Sequence, residues 1–386
     1  TIDLDPGLPS YTVTSAGGYD LFISKLDPLG DLIWTKTSGG LSTDAVMNLV
    51  LDASSNVYSI GNFSGTVDFD PSSAVTTLTS NTSGSSDIFI SKFDSNGNFK
   101  WAKNFGGTSI NLPYSIAIDN DQNVYSTGFY IGVTDFDPAN SNAIYGTYGN
   151  CDAFLLKLDS TGNYVWVKHF GGNGVSAFGK CLVTDASNNI YLTGYHNGTS
   201  DLDPSPTSSY SLTSAGGADL FITKLNSSGN FIWAHQIGGP EDDIGMDTKI
   251  DAAGSLYTTG YFSSTVDFDQ TSSVFNIISS GENDAFIHKM NQLGLSVKEN
   301  SYLNNVSLYP NPTSNYLNIN LDEEVFKKLN PSSGLEVYNS LGVLVLKEPL
   351  DGPYTQVNIK KLSPGIFILK ITDDNKLIYT HKIIKE

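Results

Sequence analysis

Pairs of aspartates separated by one residue recur along the first three quarters of the chain. In an extended strand, alternate side chains share a face, so the carboxylates of a pair converge while the apolar residue between them points inward. Adjacent carboxylates repel each other, and a hard cation such as calcium relieves that repulsion through oxygen ligands. The predicted calcium ligands are Asp68 and Asp70, Asp135 and Asp137, Asp201 and Asp203, and Asp267 and Asp269, with Asp3 and Asp5 as a fifth pair.

The alternative for these pairs is purely structural. Asp side chains commonly accept backbone N–H bonds in the turn that follows them. No complete calcium-loop motif is present in the sequence. The hydrogen-bonded turn is therefore favoured, and calcium is the one cofactor that the sequence leaves open.

Familiar catalytic patterns are missing from the sequence. It has no Gly-x-Ser-x-Gly elbow, no His-Glu-x-x-His, no phosphate loop and no dinucleotide glycine cluster. The five His residues do not recur at one position, and Asp242-Asp243, which breaks the repeat pattern, is interpreted as a solvated turn. Acid pairs for glycoside cleavage remain open, but nearly interchangeable repeats do not favour a unique active site. We predict no catalytic residues and a protein that is not an enzyme.

Charge and cysteine content restrict the partners. The formal charge is −19, and it falls on residues 1–305, because residues 306–386 hold 9 Lys and 9 acidic residues. There is no Arg, and nucleic-acid binding needs basic surface, so a nucleic-acid partner is not expected. The two cysteines, Cys151 and Cys181, form no metal pattern, and isolated thiols are favoured over a disulfide.

One short apolar strand recurs five times and sets the organisation of the chain. Its copies start at Asp20, Asp87, Asp152, Asp219 and Asp284, at spacings of 67, 65, 67 and 65 residues. Four copies carry a Trp fourteen residues later, and a Gly-Gly pair follows each Trp. Self-similarity at a fixed period indicates stacked units, none of which buries its apolar surface alone.

One full period contains four short strands joined by Asp/Asn/Gly turns, which is typical of a β-propeller blade. The predicted strands of one period are 47–51, 57–61, 87–93 and 99–105, and the third is apolar throughout, as expected for a strand covered on both faces. A further insert that contains the Asp-x-Asp pair predicts a small extra hairpin on one rim of each blade. The Trp is interpreted as core between blades rather than as a ligand platform, and a solenoid is the weaker alternative.

The units resemble secreted β-propeller repeats of Bacteroidota surface proteins through the string at 201–225. The resemblance covers 1–293: a partial first copy (repeat 1), then units near 41–107, 108–172, 173–239 and 240–293 (repeats 2 to 5). Because Thr1 falls inside a repeat, we expect further repeats and any signal peptide to lie upstream. The predicted fold class is all-β, an N-terminally incomplete propeller of ~65-residue four-stranded blades followed by a small Ig-like sandwich.

A polar linker at 294–305 separates the repeats from a different region at 306–386. Alternating runs bounded by Pro and Gly predict about seven short strands there, with Pro310 and Pro312 forming an extended entry to the first. The region resembles the type A C-terminal sorting domain of type IX secretion cargo. The motif residues that carry the resemblance are Tyr309, Pro310, Asn311, Pro312, Gly342, Pro364, Gly365, Phe367, Lys382 and Lys385.

The resemblance implies a protein exported across the outer membrane to the cell surface, with the propeller as a binding or adhesion module. The implied partners are the type IX translocon, its outer-membrane shuttle β-barrel protein, a sortase-like peptidase, and a surface glycan or anionic lipopolysaccharide. Two alternatives stay open: a polysaccharide lyase or glycosidase on a propeller scaffold, and a passive spacer.

Overall fold

The structure is a computed structural model. It describes residues 1–5, 7, 10–81, 86–140, 143–269, 274–291, 306–327, 329–330, 333–339, 344–373 and 376–385. The chain divides into two compact units, Thr1–Met290 and Asn291–Glu386. The predicted linker at 294–305 lies outside the described residues.

The first unit consists of β-strands that follow the repeat. Repeat 1 contributes four short strands: β1 (Ile2–Asp3), β2 (Thr12–Val13), β3 (Leu21–Leu26) and β4 (Leu32–Ser38). Repeat 2 contributes six: β5 (Ala45–Leu51), β6 (Val57–Phe63), β7 (Thr66–Asp68), β8 (Thr77–Thr79), β9 (Asp87–Phe93) and β10 (Phe99–Gly107). Repeat 3 has the same six: β11 (Asn111–Ile118), β12 (Val124–Tyr130), β13 (Val133–Asp135), β14 (Ile144–Gly146), β15 (Asp152–Leu158) and β16 (Tyr164–Phe170).

Repeats 4 and 5 continue the pattern. In repeat 4 the strands are longer: β17 (Ala177–Thr184), β18 (Ile190–Asp201), β19 (Ser211–Leu225) and β20 (Phe231–Ile237). Repeat 5 contributes β21 (Ile244–Ile250), β22 (Ser255–Phe262), β23 (Thr265–Asp267), β24 (Asn276–Ile278) and β25 (Asp284–Asn291).

Each complete repeat folds into one antiparallel sheet in chain order. The sheets are β5-β6-β9-β10, extended at β10 by β13 and β14 of repeat 3, then β11-β12-β15-β16 and β17-β18-β19-β20, and repeat 5 forms β21-β22-β25. The first strands of successive sheets contact each other, β5 with β11, β11 with β17, and β17 with β21. Sheets that meet along their first strands have the arrangement of propeller blades, so the all-β, propeller-type prediction is confirmed.

The predicted third strand is a central strand of its sheet. β9 begins at Asp87 and ends at Phe93, as the sequence predicts, and it is buried along nearly its whole length. The apolar core lies between sheets, where Ile88 and Ile90 of repeat 2 pack in one cluster with Ile116 and Phe154 of repeat 3. The burial of β9 therefore depends on the neighbouring repeat.

The small hairpin predicted between the second and third strands is confirmed. It appears as β1-β2, β7-β8, β13-β14 and β23-β24. In repeat 4 the hairpin is continuous with the long strands β18 and β19, which pair at residues 199–201 and 211–213.

The second unit is a sandwich of two antiparallel sheets. Its strands are β26 (Val306–Tyr309), β27 (Tyr316–Leu321), β28 (Gly334–Asn339), β29 (Leu344–Pro349), β30 (Tyr354–Asn358), β31 (Gly365–Asp373) and β32 (Lys376–Lys385), with a short helix α1 (Glu323–Phe326). One sheet has the order β26-β27-β30 and the other β29-β28-β31-β32. Buried Leu317, Ile319, Val337 and Leu369 are among the residues that fill the core. The prediction of about seven strands is confirmed.

Two details of the sequence interpretation are wrong. Pro310 and Pro312 do not lead into the first strand of the sandwich; they follow β26 and lie in the turn to β27, with both X–Pro bonds cis. Asp243 is not in a solvated turn, because its side chain is buried. In the described part of the chain, no helix has the length and apolar character needed to cross a membrane.

Candidate functional site

The Asp that opens each third strand and the first Gly of the Gly-Gly pair form one structural element. The pairs are Asp20 with Gly39, Asp87 with Gly106, Asp152 with Gly171, and Asp219 with Gly238. A Cβ on any of these glycines would overlap the carboxylate of its partner. The side chain of the third strand thus occupies the space that a missing Cβ leaves on the fourth strand, which explains why the two positions recur together.

The second Gly of each pair admits the hairpin of the following repeat. A Cβ on Gly107 would overlap the backbone carbonyl of Val133, and the other repeats show the same approach. Gly106 and Gly107 pair with Asp135 and Thr134, so the hairpin of repeat 3 extends the sheet of repeat 2. The Gly-Gly pair is therefore a joint between successive sheets.

The Trp residues make a second contact between successive repeats. The indoles of Trp34, Trp101 and Trp166 pack on Gly97, Gly162 and Gly229, each in a turn of the following repeat. Lys side chains of the third strand add a hydrogen bond across the joint: Lys25 Nζ donates to the carbonyl of Ser95 at 2.9 Å, and Lys157 Nζ to that of Ser227 at 3.0 Å. The interpretation of Trp as core between blades is confirmed.

The carboxylates at the start of the third strands are electrostatically unusual. Asp87, Asp152 and Asp219 are buried, and Oδ1 of each has no hydrogen-bond partner among the described residues. The Oδ2 atoms do accept backbone N–H bonds, from Asn81 at 3.0 Å and from Ala215 at 2.9 Å in two of the repeats. Burial raises the pKa of Asp87 to about 6 and that of Asp219 to about 6.

The Asp-x-Asp pairs close the hairpin loops through backbone hydrogen bonds. Oδ1 of Asp68 accepts the N–H of Asp70 at 3.1 Å and the N–H of Thr76 at 2.9 Å. Oδ1 of Asp201 accepts the equivalent bonds from Asp203 at 3.0 Å and Tyr210 at 2.9 Å. The first Asp of a pair thereby ties both ends of its loop, which is the structural alternative that the sequence favoured.

The other predicted calcium ligands make similar contacts. Oδ1 of Asp267 accepts the N–H of Asp269 at 3.0 Å, and that of Asp135 accepts the N–H of Asp137 at 2.9 Å. Between the two Asp residues lies a buried apolar side chain, Phe69 in repeat 2. Among the described residues, no group of three acidic, His or Cys side chains is arranged to hold a metal ion. Calcium binding at these pairs stays a prediction.

The remaining candidates are structural. Asp243 accepts backbone N–H bonds from Ser263 at 3.0 Å on one oxygen and from Gly239 at 2.6 Å on the other, so it fastens repeat 5 to the joint. Cys151 and Cys181 are buried, free thiols. Burial, together with the carboxylate of Asp247, raises the pKa of Cys181 to about 11.

Sequence reasoning missed a set of residues near the first strands of repeats 3 to 5: Tyr114, Lys180, Tyr195, Asp242 and Tyr261. Superposing the repeats would have pointed to Tyr114 and Lys180, because Met47, Tyr114, Lys180 and Met246 occupy one position in the four sheets, a bulge of the first strand. A position that varies among otherwise similar repeats is the signal that points away from packing.

In the second unit, the sorting motif near the start of residues 306–386 contacts the motif at the C-terminal end. Oδ1 of Asn311 accepts the N–H of Ile384 at 2.8 Å, and the N–H of Thr313 donates to the carbonyl of Ile384 at 2.8 Å. Lys385 pairs with Gly365 in the adjacent strand. The Tyr-Pro-Asn-Pro turn, the Pro-Gly turn and the last strand thus lie together at one end of the sandwich.

Some of the motif residues are exposed and accessible to another protein, whereas others are buried in the core. Tyr309, Pro310, Asn311, Pro312, Pro364 and Gly365 are exposed, whereas Phe367 and Lys385 are buried. Gly342 lies outside the described residues. Lys382 is placed only as a backbone position of β32, opposite Ile368. The exposed turns offer a surface that another protein can contact, and the buried residues hold the turns in place.

Comparison with known proteins identifies the second unit. Residues 307–386 match the family model described as the secretion system C-terminal sorting domain. The repeats are 25% identical over 263 residues to an uncharacterized WD repeat-containing protein of Acanthamoeba polyphaga mimivirus, a match that covers 60% of this chain and 19% of that protein. The chain therefore spans about a fifth of the length of the viral relative.

Similar solved structures come from Bacteroidota. PorZ, a surface component of the type IX secretion system of Porphyromonas gingivalis, has a TM-score of 0.32 and 13% identity, over 96% of this chain and 42% of that one. A protein of unknown function from Bacteroides caccae has a TM-score of 0.33 and 11% identity, over 87% and 92% of the two chains. These similarities are too low to transfer a function.

Fold and sorting motifs define a class: an extracellular, propeller-type repeat protein that carries a C-terminal export signal. More particularly, the chain is cargo of the type IX secretion system, exported across the outer membrane to the cell surface or the extracellular space. Its sorting domain interacts with the type IX secretion machinery.

Proposed function

We propose that the repeat unit is a binding or adhesion module that the sorting domain delivers to the cell surface. The observation that carries the proposal is the pairing of an export signal at 307–386 with stacked sheets. The contacts that recur at the joints use the Asp, Gly and Trp positions and the backbone of the hairpins, which leaves the side chains of the surface loops free to differ. Surface loops on a rigid scaffold are where binding residues concentrate.

The delivery step would involve partners with distinct roles. A shuttle β-barrel protein of the outer membrane would receive the exposed turns around Asn311 and Gly365. A sortase-like peptidase would cut in the segment 294–305, after which the repeat unit would be attached to an anionic lipopolysaccharide or released. The match of residues 307–386 to the sorting-domain family supports these partners as proposals.

Deleting residues 306–386 tests the delivery step. We expect the truncated chain to accumulate in the periplasm, measured by fractionation and by protease accessibility on whole cells. Asn311→Ala, which removes the hydrogen bond to Ile384, should lower the exported fraction, whereas the control Tyr354→Ala, an exposed change outside the motifs, should not. Normal export of the truncated chain would show that the sorting assignment is wrong.

One observation favours a second candidate, the polysaccharide-degrading enzyme. An open cavity of about 510 Å³ in repeat 5 is lined by Glu241 and Glu282 together with Ser263, Ser264 and Asn283. Two carboxylates at one cavity are the minimum for glycoside cleavage. We nevertheless propose that the protein is not an enzyme, and we expect no release of reducing ends from a polysaccharide panel; turnover that Glu241→Gln abolishes would reverse this.

A further inference from the structure

The set of residues that departs from the repeat lies on neighbouring sheets. Tyr195 of β18 pairs with Phe178 of β17, and Tyr261 of β22 occupies the same register position opposite Ile244 of β21. Because β17 and β21 contact each other, the two tyrosines stand at the same level of adjacent sheets. Tyr114 belongs to the first strand of the preceding sheet, so three repeats contribute to one surface.

Aromatic contacts hold this surface in place. Ring centroids lie 5.9 Å apart between Tyr114 and Phe129, 4.9 Å between Phe129 and Phe178, and 4.6 Å between Phe178 and Tyr195. This continuous series of rings crosses from repeat 3 to repeat 4 and fixes the position of Tyr195. Tyr261 is 37% exposed and has no ring partner among the described residues. Its side chain is therefore partly accessible from solvent.

Polar groups lie beside the rings of Tyr114 and Tyr195. Nζ of Lys180 lies 3.7 Å from the ring centroid of Tyr114 and 5.6 Å from that of Tyr195, and no carboxylate of the described residues pairs with it. Burial lowers the pKa of Lys180. Burial, with the phenols of Tyr114 and Tyr261 and the exposed Asp242 nearby, raises the pKa of Tyr195 to about 12. The surface thus offers neutral phenol donors, an ammonium group and a carboxylate beside an aromatic face.

We propose that Tyr114, Lys180, Tyr195, Asp242 and Tyr261 form a binding site for an uncharged glycan. A sugar ring presents C–H groups to an aromatic face and hydroxyl groups that both donate and accept, and this surface supplies a partner for each. An acidic polysaccharide fits less well. Lys180 is the one cation among the five site residues, and the repeat unit carries the net charge of −19, which repels a polyanion. The proposal rests on the proposed binding function and gives it a ligand class.

The test uses the full chain of 386 residues against cellohexaose, chitohexaose, mannan and, as the acidic arm, polygalacturonate, measured by calorimetry and affinity electrophoresis. We expect binding to at least one of the uncharged glycans. Tyr261→Ala should weaken that binding about tenfold, because it removes the open aromatic face. Lys180→Met, which keeps the length of the side chain, should also weaken it. The matched control is Tyr19→Ala, an exposed tyrosine of repeat 1 that should leave binding unchanged.

The outcomes separate the two proposals. Binding that neither Tyr261→Ala nor Lys180→Met affects would overturn the site and leave the binding function standing. Binding to polygalacturonate alone would overturn the ligand class. If the chain binds neither the uncharged glycans nor polygalacturonate, the glycan-site proposal is wrong. The binding function would then be tested by adhesion of the chain to whole cells. Far-UV circular dichroism of each variant identifies any loss of affinity that comes from misfolding.

Discussion

At the scale of single residues, the buried Asp at the start of each third strand has the largest electrostatic consequence. Asp87 and Asp219 are fully buried, and each keeps one carboxylate oxygen without a partner in the described structure. Oδ1 of each carboxylate loses its hydration without gaining a hydrogen bond from the described residues, so the protonated form is favoured.

The consequence is a dependence of stability on pH. In the folded state the pKa of Asp87 and of Asp219 is about 6, above the ordinary value, so the folded protein binds more protons than the unfolded chain between pH 4 and 6. Stability from these groups is present at low pH and is lost as pH rises through about 6. We expect the free energy of unfolding to fall by about 1.4 kcal/mol per group between pH 5 and 7.5.

Thermal and urea unfolding at both pH values would check this. Asp87→Asn keeps the acceptor for the N–H of Asn81 and removes the ionisation, so its unfolding should differ less between pH 5 and 7.5 than that of the wild type. Asp31→Asn, at an exposed turn, is the control and should keep the full difference. An unchanged pH dependence in Asp87→Asn would assign the effect to other groups.

At the scale of elements, the Gly-Gly pair decides whether neighbouring sheets can meet. The first Gly makes room for an Asp of its own sheet, and the second for the hairpin backbone of the next repeat. A side chain larger than hydrogen would displace the Asp carboxylate at the first position and the hairpin backbone at the second. The hairpin of the next repeat therefore forms part of the contact between successive sheets.

Replacing one of these glycines should be costly. We expect Gly106→Ala to lower the free energy of unfolding by about 3 kcal/mol, since its Cβ would overlap the carboxylate of Asp87. Gly146→Ala is the matched control, because a Cβ there meets nothing within contact distance, and it should change stability by less than about 0.5 kcal/mol. The double variant with Asp87→Ala should recover part of the loss. Equal effects of the two single variants would contradict the steric explanation.

At the scale of the whole molecule, charge is distributed unevenly along the chain. The net charge of −19 falls on residues 1–305, whereas residues 306–386 have equal numbers of Lys and acidic residues. Like charges on a compact unit repel one another, and dissolved salt screens that repulsion. The repeat unit should accordingly be more stable in salt than without it.

We expect the thermal midpoint of the repeat unit at pH 7.5 to rise by several degrees between 10 and 300 mM NaCl, on the order expected for screened self-repulsion. Scanning calorimetry of the full chain would follow it, and the transition of the neutral sorting domain should move less. A fall in the midpoint with salt would mean that attractive ion pairs outweigh the repulsion.

The sequence by itself determined the period, the third strand at Asp87–Phe93, the rim hairpins and the export signal. These are local properties: alternation, turn residues and ordered motifs depend only on near neighbours in the chain. The strands and hairpins of the repeat can also be seen several times in the sequence, because the repeat recurs. The role of Trp at the joints also followed from its spacing.

Only the tertiary structure decided which recurring residues touch. That Asp87 lies against Gly106, that Gly107 admits the hairpin of the next repeat, and that Asn311 binds Ile384 are contacts between residues distant in sequence. The burial of Asp243 and the surface around Tyr261 were missed for the same reason. Local patterns set the strands, but the space left between packed sheets sets which side chains are buried and which face solvent.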